Sequence, residues 1–217
     1  MRSIFLVPAG DAALFDEALA SATEAIAIDI TAGDVAEAAK RIELLRQGGK
    51  RALVRIHALT SGLADSDLDA VMVAAPYGII LPQACGGRDV QHLGAKLAVR
   101  EAENALEDGS TRILASGADL PEAIFILGSM ARATRRLVGL VWDGAALAGA
   151  LGVSVEAEVL GPARAQIVFS AAAAGVPALV DASGAYAEDL LHAKHNGFGG
   201  ALVTSAALAE AAERIFS

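Results

Sequence analysis

The stretch LVGLVWDGAALAG, Leu137 to Gly149, decides the reading of the fold. Six apolar or glycine positions come first, then a lone carboxylate, Asp143, and then small residues suited to a helix. A short apolar run that leads directly into a helical pattern is one strand–helix unit. The acid at its junction is either a helix cap or a functional group at a strand end.

The same unit recurs along the chain. RSIFLVPA precedes DAALFDEALASA, AIAIDI precedes DVAEAAKRIELLRQ, RALVRIH precedes SDLDAVMVAA, and GIILPQ precedes RDVQHLGAKLAVREAENAL. TRILAS then leads into PEAIFILGSMARA, and LVGLVWD into a longer helical region ending near Gly175. PALVDAS precedes AEDLLHAKHN, and GALVTS precedes the last helix. Parallel neighbours need crossovers and closure removes sheet edges, so these repeats predict a parallel eight-stranded (β/α)8 TIM barrel, a single domain over residues 1–217. An open doubly wound sheet is the alternative. No GxGxxG opens a helix after a strand, which weakens its dinucleotide-binding version.

Composition narrows the function classes. Seventeen basic residues against 26 acidic give a charge of -9 without a basic stripe, which argues against a nucleic-acid surface. The only cysteine, Cys85, excludes an intrachain disulfide and a cysteine-cluster zinc site, and reads as an inert thiol of a cytoplasmic protein. The apolar start SIFLVPAG is too short for a signal core or a membrane span, so no membrane partner is expected.

In a barrel the chemistry belongs at the C-terminal strand ends, and the polar residues fall there. Asp29 ends the second run, Arg55 and His57 the third, Gln83 the fourth, Asp143 the sixth and Asp181 the seventh. Alternation puts Leu53, Arg55 and His57 on one face, and likewise Leu81 with Gln83 and Val141 with Asp143. A guanidinium on an apolar strand needs a carboxylate or an anionic ligand, because an unpaired buried charge is costly. Asp34 and Asp119 precede helical patterns and read as first-turn acids. His192 and His195 in HAKHN lack a third metal donor.

These motifs resemble the HpcH/HpaI aldolase and citrate lyase β-subunit family. RSIFLVPAG is similar to its RS-hydrophobic-VPG start, AIAIDI to the strand carrying DLED, VRIH to RVN and GIILPQ to the LPK strand. LVWDGAALAGALG resembles its glycine-and-aspartate segment, and GFGGALVTS its closing GFxGK segment. The resemblance implies a parallel α/β barrel acting on carbon–carbon bonds of small acids or acyl-CoA thioesters with magnesium.

The departures from the family pattern concentrate where that chemistry is done. Its two magnesium ligands align with Ala115 and Ala146, which leaves Asp143 three residues early. The Glu and second Asp of DLED become Thr31 and Ala32, and the lysines of LPK and GFxGK become Gln83 and Ala201. No metal or other cofactor is therefore expected, and magnesium enters by resemblance only. No lysine lies at a strand end for a Schiff base, and no GxSxG elbow surrounds Ser116 or Ser183.

Three readings compete. One is a barrel without the magnesium-dependent lyase site that binds a small carboxylic acid or acyl-CoA thioester through Arg55 and Gln83. The second is an active lyase or aldolase in which Asp29, His57, Asp143 and Asp181 hold a metal or exchange protons. The third is a noncatalytic structural or partner-binding subunit. A homo-oligomer whose neighbours supply missing groups is left open.

Overall fold

The computed structural model describes residues 1–31, 33–183 and 187–217. Eight parallel strands close a barrel in chain order. They are β1 (Ser3–Pro8), β2 (Ala25–Asp29), β3 (Arg51–Arg55), β4 (Gly78–Leu81), β5 (Arg112–Ser116), β6 (Leu137–Trp142), β7 (Ala178–Asp181) and β8 (Gly200–Val203). Around them run α1 (Ala12–Ala20), α2 (Val35–Gln47), α3 (Ala64–Val71), α4 (Gly87–Glu103) and α5 (Pro121–Ile124). The circuit is completed by α6 (Gly144–Leu151), α7 (Leu160–Ala174), α8 (Ala187–His195) and α9 (Ala206–Ile215). The repeated unit read from Leu137 onward is thus the unit of the fold, and the open sheet is excluded.

Alternation divides the strands into two cores. Ile4, Leu6, Ala25, Ala27, Leu53, Ile80, Leu114, Val141, Leu179 and Leu202 fill the barrel. The residues between them, such as Val54, Ile79, Ala115 and Ala201, pack with the helices in a larger cluster. Both sets exclude water, which is why the strands read as continuous apolar runs rather than alternating ones. Gly139 is required at the inner face of β6. A Cβ there would lie 2.6 Å from Leu114 Cδ1 and 2.7 Å from Leu179 Cδ1, inside any tolerable contact. The β5–β6 ladder skips Val138, pairing Ile113 with Leu137 and Leu114 with Gly139. That slip sets the phase that puts Val141 inside and brings Asp143 to the rim.

Sequence and structure differ mainly at the C-terminal strand ends. The runs RALVRIH, GIILPQ, LVGLVWD and PALVDAS continue past the ladders, which stop at Arg55, Leu81, Trp142 and Asp181. The trailing polar residues leave strand geometry to cap or tie the loops. The long helical region after β6 is two helices, because Gly152 ends α6 in the left-handed conformation at φ +67°. PEAIFILGSMARA likewise forms only the short α5 and a 3-10 turn over Leu127–Met130. Among the described residues no helix is long and apolar enough to cross a membrane.

Candidate functional site at the barrel mouth

Arg55 is the last residue of β3, and its side chain spans the barrel. Its Nη2 donates to Asp181 Oδ2 at 3.1 Å, on β7, which lies opposite β3 in the closed circuit. Asp29, its register neighbour on β2, sits 3.7 Å from Nη1, an ion pair beyond hydrogen-bond distance. Burial works against the guanidinium charge, but Asp181, Asp29 and Asp143 together raise its pKa above the usual value. Of the two carboxylates, Asp181 is the closer partner. The buried Nε has no acceptor among the described residues.

Asp143 is a cap. Its Oδ1 accepts from the Ala146 backbone N–H at 2.9 Å and so starts α6. Burial pushes its carboxyl above the usual range, Asp181 adds to that, and the Ala146 hydrogen bond and Arg55 oppose it. The Asp143 cap and the Arg55 cluster therefore share one electrostatic site.

Asp119 departs from its expected role as a first-turn acid. It accepts from Ser116 Oγ at 2.5 Å and from the Gln83 backbone N–H at 2.8 Å, so it ties the β4 and β5 loops together. Burial raises its pKa despite both hydrogen bonds. Gln83 itself is exposed at φ +52°, and its recorded contribution is the backbone donor. Leu81 belongs to the helix-facing cluster, and the expected shared face of Leu81 and Gln83 is lost because the strand ends at Leu81, before Pro82.

His57 is held by a residue that sequence reading missed. Asp67, on α3, accepts from the His57 backbone N–H and meets Nδ1, each at 2.8 Å through Oδ2. An ionised carboxylate only accepts, so in the neutral ring the proton sits on Nδ1 and Nε2 is left as the base. The signal was present in the helix. Ala64, Asp67, Leu68 and Val71 form the buried face of α3, and an acid at such a position must have a partner. Asp67→Asn is expected to remove the Nδ1–H preference and cost about 1–3 kcal/mol. Nitrogen-15 imidazole shifts that stay at their wild-type values would refute this tautomer assignment.

The remaining candidates do not assemble a metal cage. Ala115, aligned with a family magnesium ligand, faces the helices, and the neighbouring Ser116 is the residue tied at the mouth. Ala146 lies in the first turn of α6 and Ala201 in the outer cluster. Asp29 accepts from Thr31 N and Oγ1 at 2.9 and 2.7 Å, and Asp181 from Ser183 N and Oγ at 3.0 and 2.5 Å. Ala32 lies outside the described residues. Among those described, no group of three or more His, Cys, Asp or Glu side chains is placed to hold an ion, His192 and His195 included. Burial raises the Cys85 thiol pKa, with Asp89 and Glu122 adding to it, as suits an unreactive thiol. Beside the mouth a cleft of about 670 Å³ is lined by Trp142, Gly144, Glu156, Arg164, Asp181 and Ser183, among others.

Comparison with known proteins agrees with this architecture. The family model described as HpcH/HpaI aldolase/citrate lyase matches residues 2–206. No curated protein matches the sequence. A citrate lyase from Burkholderia xenovorans superposes with a TM-score of 0.82 at 17% identity, covering 99% of this chain and 76% of that one. The citrate lyase β subunit of Mycobacterium tuberculosis, complexed with oxaloacetate and magnesium, gives 0.72 at 22% identity, with 99% and 96% covered. The CitE protein of M. tuberculosis, in complex with magnesium, acetoacetate and coenzyme A, gives 0.72 at 21% identity, with 100% and 82% covered. At such identities the structures speak for the shared barrel, and the match over residues 2–206 speaks for descent: this chain belongs to the HpcH/HpaI aldolase/citrate lyase family.

Proposed function

We propose that the barrel mouth binds a small carboxylic acid or acyl-CoA thioester through Arg55, without the family's usual magnesium-dependent carbon–carbon lyase site. The observation that carries this reading is the guanidinium itself. It is fixed across the barrel by a hydrogen bond to Asp181, and among the described residues its buried Nε has no acceptor. A ligand oxygen can meet the Nη1 edge, which reaches Asp29 only at 3.7 Å, beyond hydrogen-bond distance, and belongs to a side chain that is 16% exposed. The adjacent cleft supplies room for an acyl chain.

Magnesium does not fit the donors present. It demands hard oxygen ligands in near-octahedral order. The aligned ligand positions carry methyl groups, and Asp29, Asp119, Asp143 and Asp181 are each committed to protein donors. No chemical step is therefore assigned to a metal.

The same carboxylates set the ligand's charge. Four acids surround one arginine, so a doubly charged acid is repelled more than a single carboxylate or a neutral thioester carbonyl. Calorimetry is expected to detect weak saturable binding of pyruvate or acetyl-CoA, unchanged by added magnesium. Arg55→Lys keeps the charge but loses the planar fork, and should weaken binding by about 10- to 100-fold. Equal binding by that variant, or a saturable magnesium signal, would overturn the reading.

His57 favours a second reading, in which the mouth also moves protons. With Nδ1 tied to Asp67, Nε2 is oriented as a general base, and the raised pKa of Asp143 suits an acid partner. Detectable cleavage of 2-keto-4-hydroxy acids or acyl-CoA adducts without metal, lost in His57→Gln, would favour this reading over pure binding.

A further inference from the structure

At the opposite end of the barrel, among the N-terminal strand ends, a cleft of about 430 Å³ is lined by Arg46, Lys50, Arg51, Tyr77 and Ser110, among others. Two of its cations are anchored by carbonyl groups that do not neutralise them, and the third has only one exposed carboxylate beside it. Arg46 Nη1 donates to the Ala74 carbonyl at 3.0 Å. Lys50 Nζ donates to the Ser21 and Thr23 carbonyls at 3.0 and 2.8 Å. The Arg51 guanidinium lies over the Tyr77 ring, 5.3 Å from its centre, and its nearest carboxylate, the exposed Glu24, is 3.8 Å away.

The contrast with the rest of the molecule is what needs explaining. In a chain of charge -9, three cations line one cleft against a single lining acid, Glu107, among the described residues, with the exposed Glu24 beside Arg51. Carbonyl and ring partners hold the side chains in place and use only part of their donor sets, and Arg51 meets Glu24 only at 3.8 Å, beyond hydrogen-bond distance. Lys50 is also partly desolvated, which pushes its pKa down and disfavours its charged form unless an anion lies near.

We propose that this basal cleft is a binding site for a phosphorylated small molecule, with its phosphate held by Arg46, Lys50 and Arg51. Two guanidinium forks and an ammonium match an oxyanion that carries about two charges at neutral pH. The cleft volume suits a phosphorylated small molecule. The site lies at the end of the barrel away from the mouth and does not depend on what the mouth binds.

The test is calorimetric titration of the full chain with inorganic phosphate, pyrophosphate and adenosine monophosphate, first at low salt and then at physiological salt. Saturable binding is expected, weakened by salt and reduced at least about tenfold in Arg51→Gln. Arg46→Gln serves as a second variant, and melting curves of both confirm that they are folded. The monophosphate binding more tightly than phosphate would place its nucleoside in the cleft, and equal affinities would mark a site for the phosphate group alone; both support the proposal. Absence of saturable binding by all three probes to about 10 mM, or unchanged binding by both folded variants, would overturn it.

Discussion

Arg55→Ala is expected to lose about 3–5 kcal/mol of folding stability at neutral pH, the cost of breaking a buried pair and leaving its partner uncompensated. The Asp181 side chain is 3% exposed and that of Arg55 16%, so water cannot replace the guanidinium cheaply. The variant leaves Asp29, Asp143 and Asp181 without the cation they share. Burial already holds the Asp143 carboxyl above the usual range, and Arg55 is among the groups that lower it, so its pKa should rise further in the variant. A carboxyl whose folded pKa lies above its unfolded value destabilises the fold at higher pH. The penalty fades as pH falls through the folded pKa. The deficit should therefore shrink on acidification from neutral pH toward about 4, the unfolded aspartate value. Urea melts of wild type and variant along that range measure it. A loss below about 1 kcal/mol, or one that does not change with pH, would show that Arg55 is not the keystone of the mouth.

The fold was legible because both faces of every strand are buried and each strand is followed by its own helix. Runs such as RALVRIH and LVGLVWD therefore stand out without any alternation to interpret. The mouth was legible as a set, since a polar residue ending an apolar run has few places to go but the rim. Its wiring was not. Arg55 and Asp181 are 126 positions apart and meet only because closure sets β3 against β7. Period-two counting failed for Leu81 and Gln83 because Pro82 breaks the strand and Gln83 turns left-handed. Motif alignment put Ala115 at a ligand position, yet its side chain packs outward and Ser116 is the residue tied at the mouth. Asp67 was hidden among three alternating acids, Asp65, Asp67 and Asp69, of which helical phase buries only the middle one.

The second large effect lies at the base of the barrel, where Glu101→Gln is expected to destabilise the fold by about 3–5 kcal/mol. Glu101, fully buried near the end of α4, receives Arg136 Nη1 and Nη2 at 2.7 Å each, a bidentate clasp. The backbone N–H groups of Thr111 and Gly109 add bonds of 2.7 and 2.9 Å. One carboxylate thereby joins the end of α4, the loop into β5 and the residue that precedes β6. Burial alone would raise its pKa, but Arg136 and the backbone donors outweigh that and lower it to about 2. Glutamine keeps the shape but turns an NH₂ toward the donors, and Arg136, itself 7% exposed, loses its main counter-charge. The pH dependence runs opposite to that of the mouth. A carboxylate with a depressed folded pKa contributes stability above the unfolded value, here 4.5, and that stability is lost as pH falls through about 2. The gap between wild type and Glu101→Gln should thus be widest near neutrality and close during acid unfolding. Paired replacement, Glu101→Leu with Arg136→Met, should cost less than either single change, because neither charge is then stranded. Strict additivity of the two single losses in that double variant would show that the residues do not act as a clasp.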